Sequence, residues 1–506
     1  MKRKIIIPIF AVLTSFAFGQ TEYEALRHSQ TEINGTARYM SLGGAMGALG
    51  ADASAINDNP AGLGVYRSSE VTATVNLSDY KYRKVDWDNN NRIQASKAKL
   101  KLDNVAYVLA VPTYDDSSGW LSSNISFSYQ KLKDYNKSFY ANKGGVDVSI
   151  LDYIENLSNP DKAIPGDMSY DNGNMPWLTV LGYDGFLIDP IDGGYFQSIL
   201  DPGELVDASI AYTQGGSLGE VSFGWGGNYN NNLFLGTSVN IRALNYYLSS
   251  RYTEDFRGDR GFDLDNYLTR DGIGINVKFG VIYLPTNNLR LGASLHTPSA
   301  TSITEESYAD LYSSEIPEEF DYPAETPILG QDYLLYNPMQ AHLSAAYLFG
   351  KKGFISGEYN FVNYAGTRFR DKRNSQYLFD EINNDMSRVL NNVHVMKVGA
   401  EWRATPNFAL RAGYATITPP VNIAYDDGKL LMGNSSSTNT EYFDQKYNIN
   451  FYTFGFGYRT NEWFLDFAFV QRAQSEDFFP YQAKVLTPVK LDHLTNNFIF
   501  TGGLRF

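Results

Sequence analysis

The stretch Ser41–Gly64, SLGGAMGALGADASAINDNPAGLG, is built almost wholly from small residues. Small residues let a backbone run through a crowded space that larger side chains already fill. Pro60 fixes its own φ and biases Asn59 toward extended geometry, so a stiff turn is predicted there. We predict that the segment plugs a barrel formed by the rest of the chain, with Asn59, Pro60, Ala61 and Gly62 as a latch. The alternative is an ordinary turn that leads into the first strand.

From Glu70 onward apolar residues recur at every second position, as in Val71, Ala73, Val75 and Leu77. Fourteen such segments can be counted, and most have one apolar face and one polar or small face. No segment after the N-terminus has the roughly 20 unbroken apolar residues that a membrane helix needs. In lipid, only helices and closed barrels satisfy every backbone polar group. The predicted fold is therefore all-β, a 14-stranded antiparallel transmembrane β-barrel with an N-terminal small-residue hatch that plugs the lumen.

The connections between these segments alternate strictly between short turns and long loops, as in bacterial outer-membrane barrels. The longest loop, Leu132–Ser217, follows the third strand, and another predicted loop spans Ser250–Asn266. The third strand, Leu121–Gln130, contains no proline, so its sequence predicts no clear kink. We divide the chain into a signal peptide (1–19), the hatch (20–69) and the barrel (70–506).

Both ends of the chain carry targeting signals. Lys2, Arg3 and Lys4 precede an apolar core, and Ala17-Phe18-Gly19 is a cleavage site of the small-x-small type. The last strand ends in an aromatic residue, Phe506, which resembles the signal read by the barrel-assembly machinery. A final strand that happens to end in Phe is the alternative. These features predict export and insertion into the outer membrane, among its lipids.

Composition narrows the possible functions. The net charge of −14 argues against nucleic acid as a partner, because phosphate binding needs clustered Lys and Arg. There is no cysteine, and a closed barrel does not depend on disulfides. The aromatic content of 15% is high, which suits aromatic girdles at the membrane interfaces, although sugar stacking in a secreted binding protein would also explain it.

Three stretches together resemble the FadL/TodX-type outer-membrane transporters of long-chain fatty acids and other hydrophobic compounds. They are Gly43–Gly64 with its Asn-Pro-Ala sequence, Asn288–Pro298, and Lys397–Trp402 followed by Leu410–Tyr414 and Pro419–Val421. The resemblance implies a monomeric fourteen-stranded barrel with a hatch in the lumen. It also implies that a ligand docks among extracellular loops, moves to a tighter inner site and leaves sideways at a kinked third strand.

Alternation places several charged side chains in the lumen. A cation among Arg242, Lys278, Lys397 and Arg411 would hold the carboxylate of a fatty acid through a charge-assisted hydrogen bond. The alternative is that these cations pair with inward carboxylates such as Glu358, because buried charges must be matched.

The longest loop is rich in apolar residues, including Trp177, Phe186 and Phe196. An exposed apolar patch would capture a lipid-like ligand. The alternative is that the loop folds over the barrel mouth and buries these side chains.

Other chemistry has little support in the sequence. Gly44, Gly47 and Gly50 recur at every third position, but no buried strand precedes them as a dinucleotide loop requires. The five histidines are scattered and no hydrolase elbow is present, so no metal, cofactor or enzyme activity is predicted. We predict passive transport of hydrophobic molecules, fatty acids first. Aromatic hydrocarbons, haem-like ligands and a non-transporting adhesin or scaffold are the alternatives.

Overall fold

The computed structural model describes residues 21–88, 90–92, 97–113, 118–158, 168–171, 175–191, 195–317, 323–372, 379–421, 438–481 and 486–506. The predicted signal peptide lies outside the described residues. Within them, no helix is both long enough and apolar enough to cross a membrane.

Most of the chain is β-strand. The strands are β1 Glu70–Trp87, β2 Asn90–Arg92, β3 Lys97–Leu109, β4 Trp120–Asp134, β5 Lys137–Val146, β6 Ile188–Ile191, β7 Tyr195–Ser198, β8 Val206–Tyr229, β9 Leu233–Asp255, β10 Gly261–Tyr283, β11 Leu289–His296, β12 Ala300–Ser313, β13 Ala324–Glu325, β14 Leu329–Tyr336, β15 Gln340–Leu348, β16 Gly353–Asn363, β17 Arg368–Asp371, β18 Asn392–Arg403, β19 Phe408–Ile417, β20 Tyr442–Asp444, β21 Ile449–Arg459, β22 Trp463–Phe479 and β23 Val489–Arg505.

The helices are short. They are α1 Glu22–Ser29, α2 Ala37–Ser41, α3 Ala55–Asp58, α4 Ile150–Ser158, α5 Trp177–Asp184, α6 Asp380–Val389 and two 3₁₀ helices, Pro60–Val65 and Tyr364–Gly366.

Fourteen of the strands close into an antiparallel barrel, which confirms the predicted fold. Their order around the wall is β1-β3-β4-β8-β9-β10-β11-β15-β16-β18-β19-β21-β22-β23. The ring closes where β23 pairs with β1, from Glu70 opposite Arg505 to Trp87 opposite Val489. Closure pairs each barrel strand with a neighbour on both sides over at least part of its length, as a spanning sheet requires.

The alternation in the sequence corresponds to the two faces of the wall. Ile273 and Phe127 point outward and are exposed, whereas Thr74 and Asn124 point inward and are fully buried. Exposed aromatic side chains surround the end that carries the short turns, as expected at a membrane interface. They are Tyr107, Trp225, Tyr229, Tyr283, Tyr347, Phe349, Trp402, Tyr458, Trp463 and Phe506.

At the opposite end, several strands continue beyond the predicted segments. β9 and β10 pair without interruption up to Asp255 opposite Gly261, so the prediction of a loop over Ser250–Asn266 is wrong. The apolar alternation weakens there because the outward face of this extension carries residues such as Arg251 and Asp265 rather than a continuous apolar stripe.

The longest loop is itself folded. β5 pairs with β8, and α4 packs against α5 and β7. Their apolar side chains, such as Leu181, join a core that also receives Tyr212 of β8, Leu248 of β9 and Leu264 of β10. This loop therefore extends the hydrophobic core above the barrel.

Candidate functional site

The hatch enters the barrel as a series of short helices. Thr21 and Glu24 form a capping box at the start of α1, each side chain bonding the other residue's backbone N–H. Thr36 caps α2 by accepting a hydrogen bond from the backbone N–H of Tyr39. Gly43 and Gly50 have φ values of +63° and +64°, which favour glycine. The small residues of this stretch thus allow the sharp reversals between the helices.

The hatch touches the wall mainly through backbone and small side chains, and wall glycines receive it. A Cβ atom on Gly236 of β9 would overlap the carbonyl group of Pro60. One on Gly280 of β10 would overlap the amide oxygen of Asn59, and one on Gly413 of β19 would overlap the backbone of Leu42. Two backbones can approach this closely only where side chains are absent. The glycines of the hatch and of the wall therefore determine where the hatch lies.

The predicted latch residue Asn59 is buried and bonded on both sides. Its side-chain amide donates to the carbonyl oxygens of Gly47 in the hatch (2.9 Å) and Val281 in the wall (3.1 Å). Its amide oxygen accepts from the backbone N–H of Ala61 (3.1 Å), at the start of the 3₁₀ helix that Pro60 begins. Asn59 therefore connects hatch, turn and wall, while Ala61 and Gly62 are buried in the same turn.

The structure places the four predicted ligand cations in ion pairs against the lower lumen wall. Arg242 and Lys278 pair with Glu220, Lys397 with Asp58 (2.9 Å) and Glu358 (2.8 Å), and Arg411 with Glu401 (2.8 Å) and Asp466 (2.6 Å). Among the described residues none of the four lines the main cavity. Their role as ligand cations stays a prediction.

That cavity, of about 480 Å³, lies above the hatch in the half of the barrel that carries the long loops. Its size is typical of sites that enclose a small organic ligand. The apolar and aromatic side chains that line it come from both the hatch and the wall. They include Tyr23, Leu26, Ile33, Met40, Tyr135, Val393, Ile417, Phe443, Ile449, Phe451 and Ile499.

Among the cations that line this cavity, Lys133 and Arg27 are half-buried and bond neutral oxygens rather than carboxylates. Lys133 of β4 donates to the carbonyl oxygen of Arg27 (2.7 Å) and more weakly to Gln30 (3.4 Å). Arg27 of α1 donates to the Tyr246 hydroxyl (2.6 Å) and lies over the rings of Tyr246 and Phe443. Within the described part of the chain, neither forms an ion pair. Both are half-buried and available to an anion.

The wall beside the cavity has a gap. β3 and β4 pair only from Leu109 opposite Ile125 to Asn104 opposite Gln130. Beyond that point β4 remains on β8, with a register shift around Leu132, and β3 remains on β1. This bulge lies just past the predicted third strand, whose sequence shows no break.

Polar side chains bridge the gap. Lys101 of β3 forms an ion pair with Asp134 of β4 (2.7 Å), and its ammonium also bonds the Tyr80 hydroxyl. Lys101, Asp103, Lys131 and Asp134 all line the cavity, so residues on both sides of the gap face the enclosed space. A gap between two strands of a membrane wall offers a sideways route that an intact ladder closes.

The apolar side chains of the longest loop differ in their exposure to solvent. Trp177 and Phe196 are buried within the folded loop, whereas Phe186 is exposed. Within the described residues, none of the three lines the main cavity. Much of the loop's apolar content therefore stabilises the structure above the barrel mouth, while Phe186, Ile191 and Tyr195 remain exposed on its surface.

One carboxyl group of the hatch is perturbed outside the membrane-spanning strands. Glu22, at the start of α1, is almost fully buried. Burial raises the pKa of its carboxyl to about 7, and the charges of Asp385 and Glu24 add to the effect. The docking of α1 against α6 is therefore linked to pH.

Comparison with solved structures identifies the fold. A Pseudomonas aeruginosa FadL homologue matches with a TM-score of 0.51 at 13% identity, covering 94% of this chain and 99% of that one. The toluene transporter TodX of P. putida matches with a TM-score of 0.50 at 12% identity, covering 94% and 99% of the two chains. This chain has the FadL/TodX barrel fold. No protein-family model and no curated protein sequence matches it.

Within the FadL/TodX fold, sequence reasoning overlooked the residues of the cavity. Lys133 lies beyond the predicted end of the third strand, and Arg27 is on a short helix that carries no membrane pattern. The signal that was available is the run of four lysines, Lys131, Lys133, Lys137 and Lys143, at the start of the longest loop.

Proposed function

We propose that this protein is an outer-membrane channel for hydrophobic small molecules, with long-chain fatty acids as the first candidates. The main support is the cavity above the hatch, which combines apolar side chains with Lys133 and Arg27, two half-buried cations that form no ion pair within the described residues. An amphiphile with one negative charge matches that combination, because its chain contacts the apolar wall and its carboxylate receives charge-assisted hydrogen bonds.

The proposed route begins at the loop end of the barrel and reaches the cavity. Below the cavity, the packed hatch closes the lumen, so a ligand leaves either through the β3–β4 gap or after the hatch shifts. Both routes are passive, since they need only a concentration difference. The gap is the shorter route, because its own residues line the cavity.

Lys133 provides the sharpest test of this function. Uptake of radiolabelled oleate is measured in cells that lack their own fatty-acid channel and express this chain. A charge-assisted hydrogen bond is worth about 1.5–3 kcal/mol, so Lys133→Met should lower the rate at limiting oleate by roughly 10- to 150-fold. Lys372→Met is the matched control, because Lys372 forms an exposed ion pair with Asp332. Equal loss in both variants would contradict the assignment.

A neutral probe separates the alternative ligands. Toluene has no head group, so its entry should be unaffected by Lys133→Met if fatty acids are the natural ligands. A chain that transports toluene but not oleate would be an aromatic-hydrocarbon channel, and binding of haem instead of either would favour a haem-like ligand. If cells that express this chain take up none of the hydrophobic probes, the adhesin or scaffold alternative would be favoured.

Location, assembly and oligomeric state are part of the proposal. We expect the mature chain in the outer-membrane fraction, as a monomer after solubilisation. Phe506 is exposed and its backbone exchanges hydrogen bonds with Ser69 at the barrel end. Deleting Phe506 should reduce the amount inserted by the barrel-assembly machinery, while unchanged insertion would make it a plain strand end.

A further inference from the structure

A compact group of metal-ligating side chains lies where the hatch meets the wall. It consists of Asp58 at the end of α3, His342 of β15 and Glu358 of β16, whose nearest ligand atoms all lie within 4.8 Å of one another. One imidazole and two carboxylates suit a borderline divalent cation such as Zn²⁺. The hatch supplies one ligand and the wall the other two.

His342 is the unusual member of this group. Its side chain is only 6% exposed, yet neither ring nitrogen has a hydrogen-bond partner in the described part of the chain. A buried imidazole without partners is costly, because the desolvated nitrogens lose their bonds to water. Its Nδ1 lies 3.8 Å from a carboxylate oxygen of Glu358, too far for a hydrogen bond. The ring therefore faces the carboxylates without being bonded to them.

The neighbouring groups show what else fills the space. Lys397 bonds both carboxylates, at 2.9 Å from Asp58 and 2.8 Å from Glu358. The ring of His296 packs against that of His342 with 4.3 Å between the ring centres and a tilt of 34°, and Nε2 of His296 bonds the Asp58 carbonyl oxygen (3.0 Å). Two carboxylates face one ammonium, so Lys397 alone does not balance the local charge. A divalent cation would compete with Lys397 for the same oxygens.

We propose that Asp58, His342 and Glu358 form a divalent-metal site of the Zn²⁺ type that ties the hatch to the barrel wall. Coordination satisfies one of the two unpartnered nitrogens of His342, and the metal takes the carboxylate oxygens that Lys397 otherwise holds. In the metal-free state, the ammonium group of Lys397 occupies the place of the metal ion between the two carboxylates. The proposal concerns binding only and does not depend on what the channel transports.

The test uses the purified full-length mature protein in detergent, titrated with ZnCl₂ in a calorimeter. The wild type should bind one Zn²⁺, and His342→Gln should weaken binding by at least about tenfold, as expected when a ligand is lost. His493→Gln is the matched control, because His493 also lies beside a carboxylate, 3.7 Å from Glu476, but is not one of the three residues of the group. Equal affinity in all three proteins would overturn the site.

A second variant keeps the test decisive if His342→Gln folds poorly. Lys397→Met removes the competing ammonium and leaves two carboxylates uncompensated. It should unfold at a lower temperature than the wild type without metal, recover on addition of Zn²⁺ and bind Zn²⁺ more tightly. Failure of Zn²⁺ to raise its melting temperature would overturn the proposal, as would an anomalous zinc signal in crystals away from these three residues.

Discussion

The two halves of the barrel lumen differ in how tightly they are packed and in how their charged side chains are paired. In the half near the short turns, the hatch meets wall glycines, and the inward cations are matched by carboxylates. In the half near the long loops, a cavity of about 480 Å³ remains, with both apolar and polar lining residues, the half-buried cations Lys133 and Arg27 on neutral oxygens, and a gap in the wall. This difference underlies our proposal that the lower half excludes solutes and the upper half accepts a ligand.

Closing the gap beside the cavity should have the largest effect. The chain has no cysteine, so Lys101→Cys with Asp134→Cys creates one reactive pair across the gap. Treatment with a short dimaleimide should reduce oleate uptake to the level of cells without the protein, if the ligand leaves sideways. A cysteine pair at Lys372 and Asp332 is the control, since it joins two surface residues. Full uptake after cross-linking would mean that the ligand leaves through the hatch and not through the gap.

Loosening the hatch should open the lower half. Gly236→Ala combined with Gly280→Ala places two methyl groups against Pro60 and Asn59. Overpacking costs about 1–3 kcal/mol per site, enough to raise the conductance of the protein in planar bilayers by about tenfold. Gly357→Ala serves as control, because its Cβ would lie 3.9 Å from the nearest atom, in ordinary contact. Unchanged conductance in the double variant would mean that the hatch adapts without opening.

Removing the latch should have a smaller effect in the same direction. Asn59→Ala deletes hydrogen bonds to Gly47, Val281 and Ala61, each worth roughly 1 kcal/mol. We expect brief openings in bilayer recordings and normal assembly in the outer membrane. Pro60→Ala retains these bonds and should open less often. If both variants behave as wild type, Asn59-Pro60 is a structural turn rather than a latch.

The smallest effect concerns pH at the top of the hatch. The pKa of Glu22 is raised in the folded protein to about 7, so the protonated carboxyl favours the docked helix. Docking of α1 should therefore be firmest under acidic conditions and weaken as the pH rises through 7. Hydrogen exchange, corrected for its intrinsic pH dependence, should show this in α1, and Glu22→Gln should remove it. A wild-type protein with the same α1 protection at pH 5.5 and 8 would contradict the linkage.

The membrane-facing architecture could be predicted from the sequence because it follows a simple rule. Residues such as Ile273 and Phe127 face outward at every second position, and this alternation identifies all fourteen strands. The small residues of Ser41–Gly64 likewise indicate a segment that packs inside the crowded lumen of the barrel. In both cases a pattern among neighbouring residues follows from the surroundings of that same segment, which are lipid for the strands and a crowded lumen for the hatch.

The cavity could not be predicted in the same way. Arg27 and Lys133 are 106 positions apart and meet only because α1 lies beside the end of β4. The gap depends on which strands fail to pair, and no residue of β3 or β4 is unusual for a strand. The extended hairpin of β9 and β10 was mistaken for a loop because it lies beyond the apolar band. These features arise from packing across the barrel.

The most direct test of the ligand-binding half is a crystal structure with a fatty acid brominated near its methyl end. We expect anomalous bromine density among Ile417, Phe451 and Ile499, with the carboxylate within hydrogen-bond distance of Lys133 or Arg27. Bromine only on the outer surface of the barrel, or a head group bound to Arg242, Lys278, Lys397 or Arg411 instead, would contradict the division of the lumen described above.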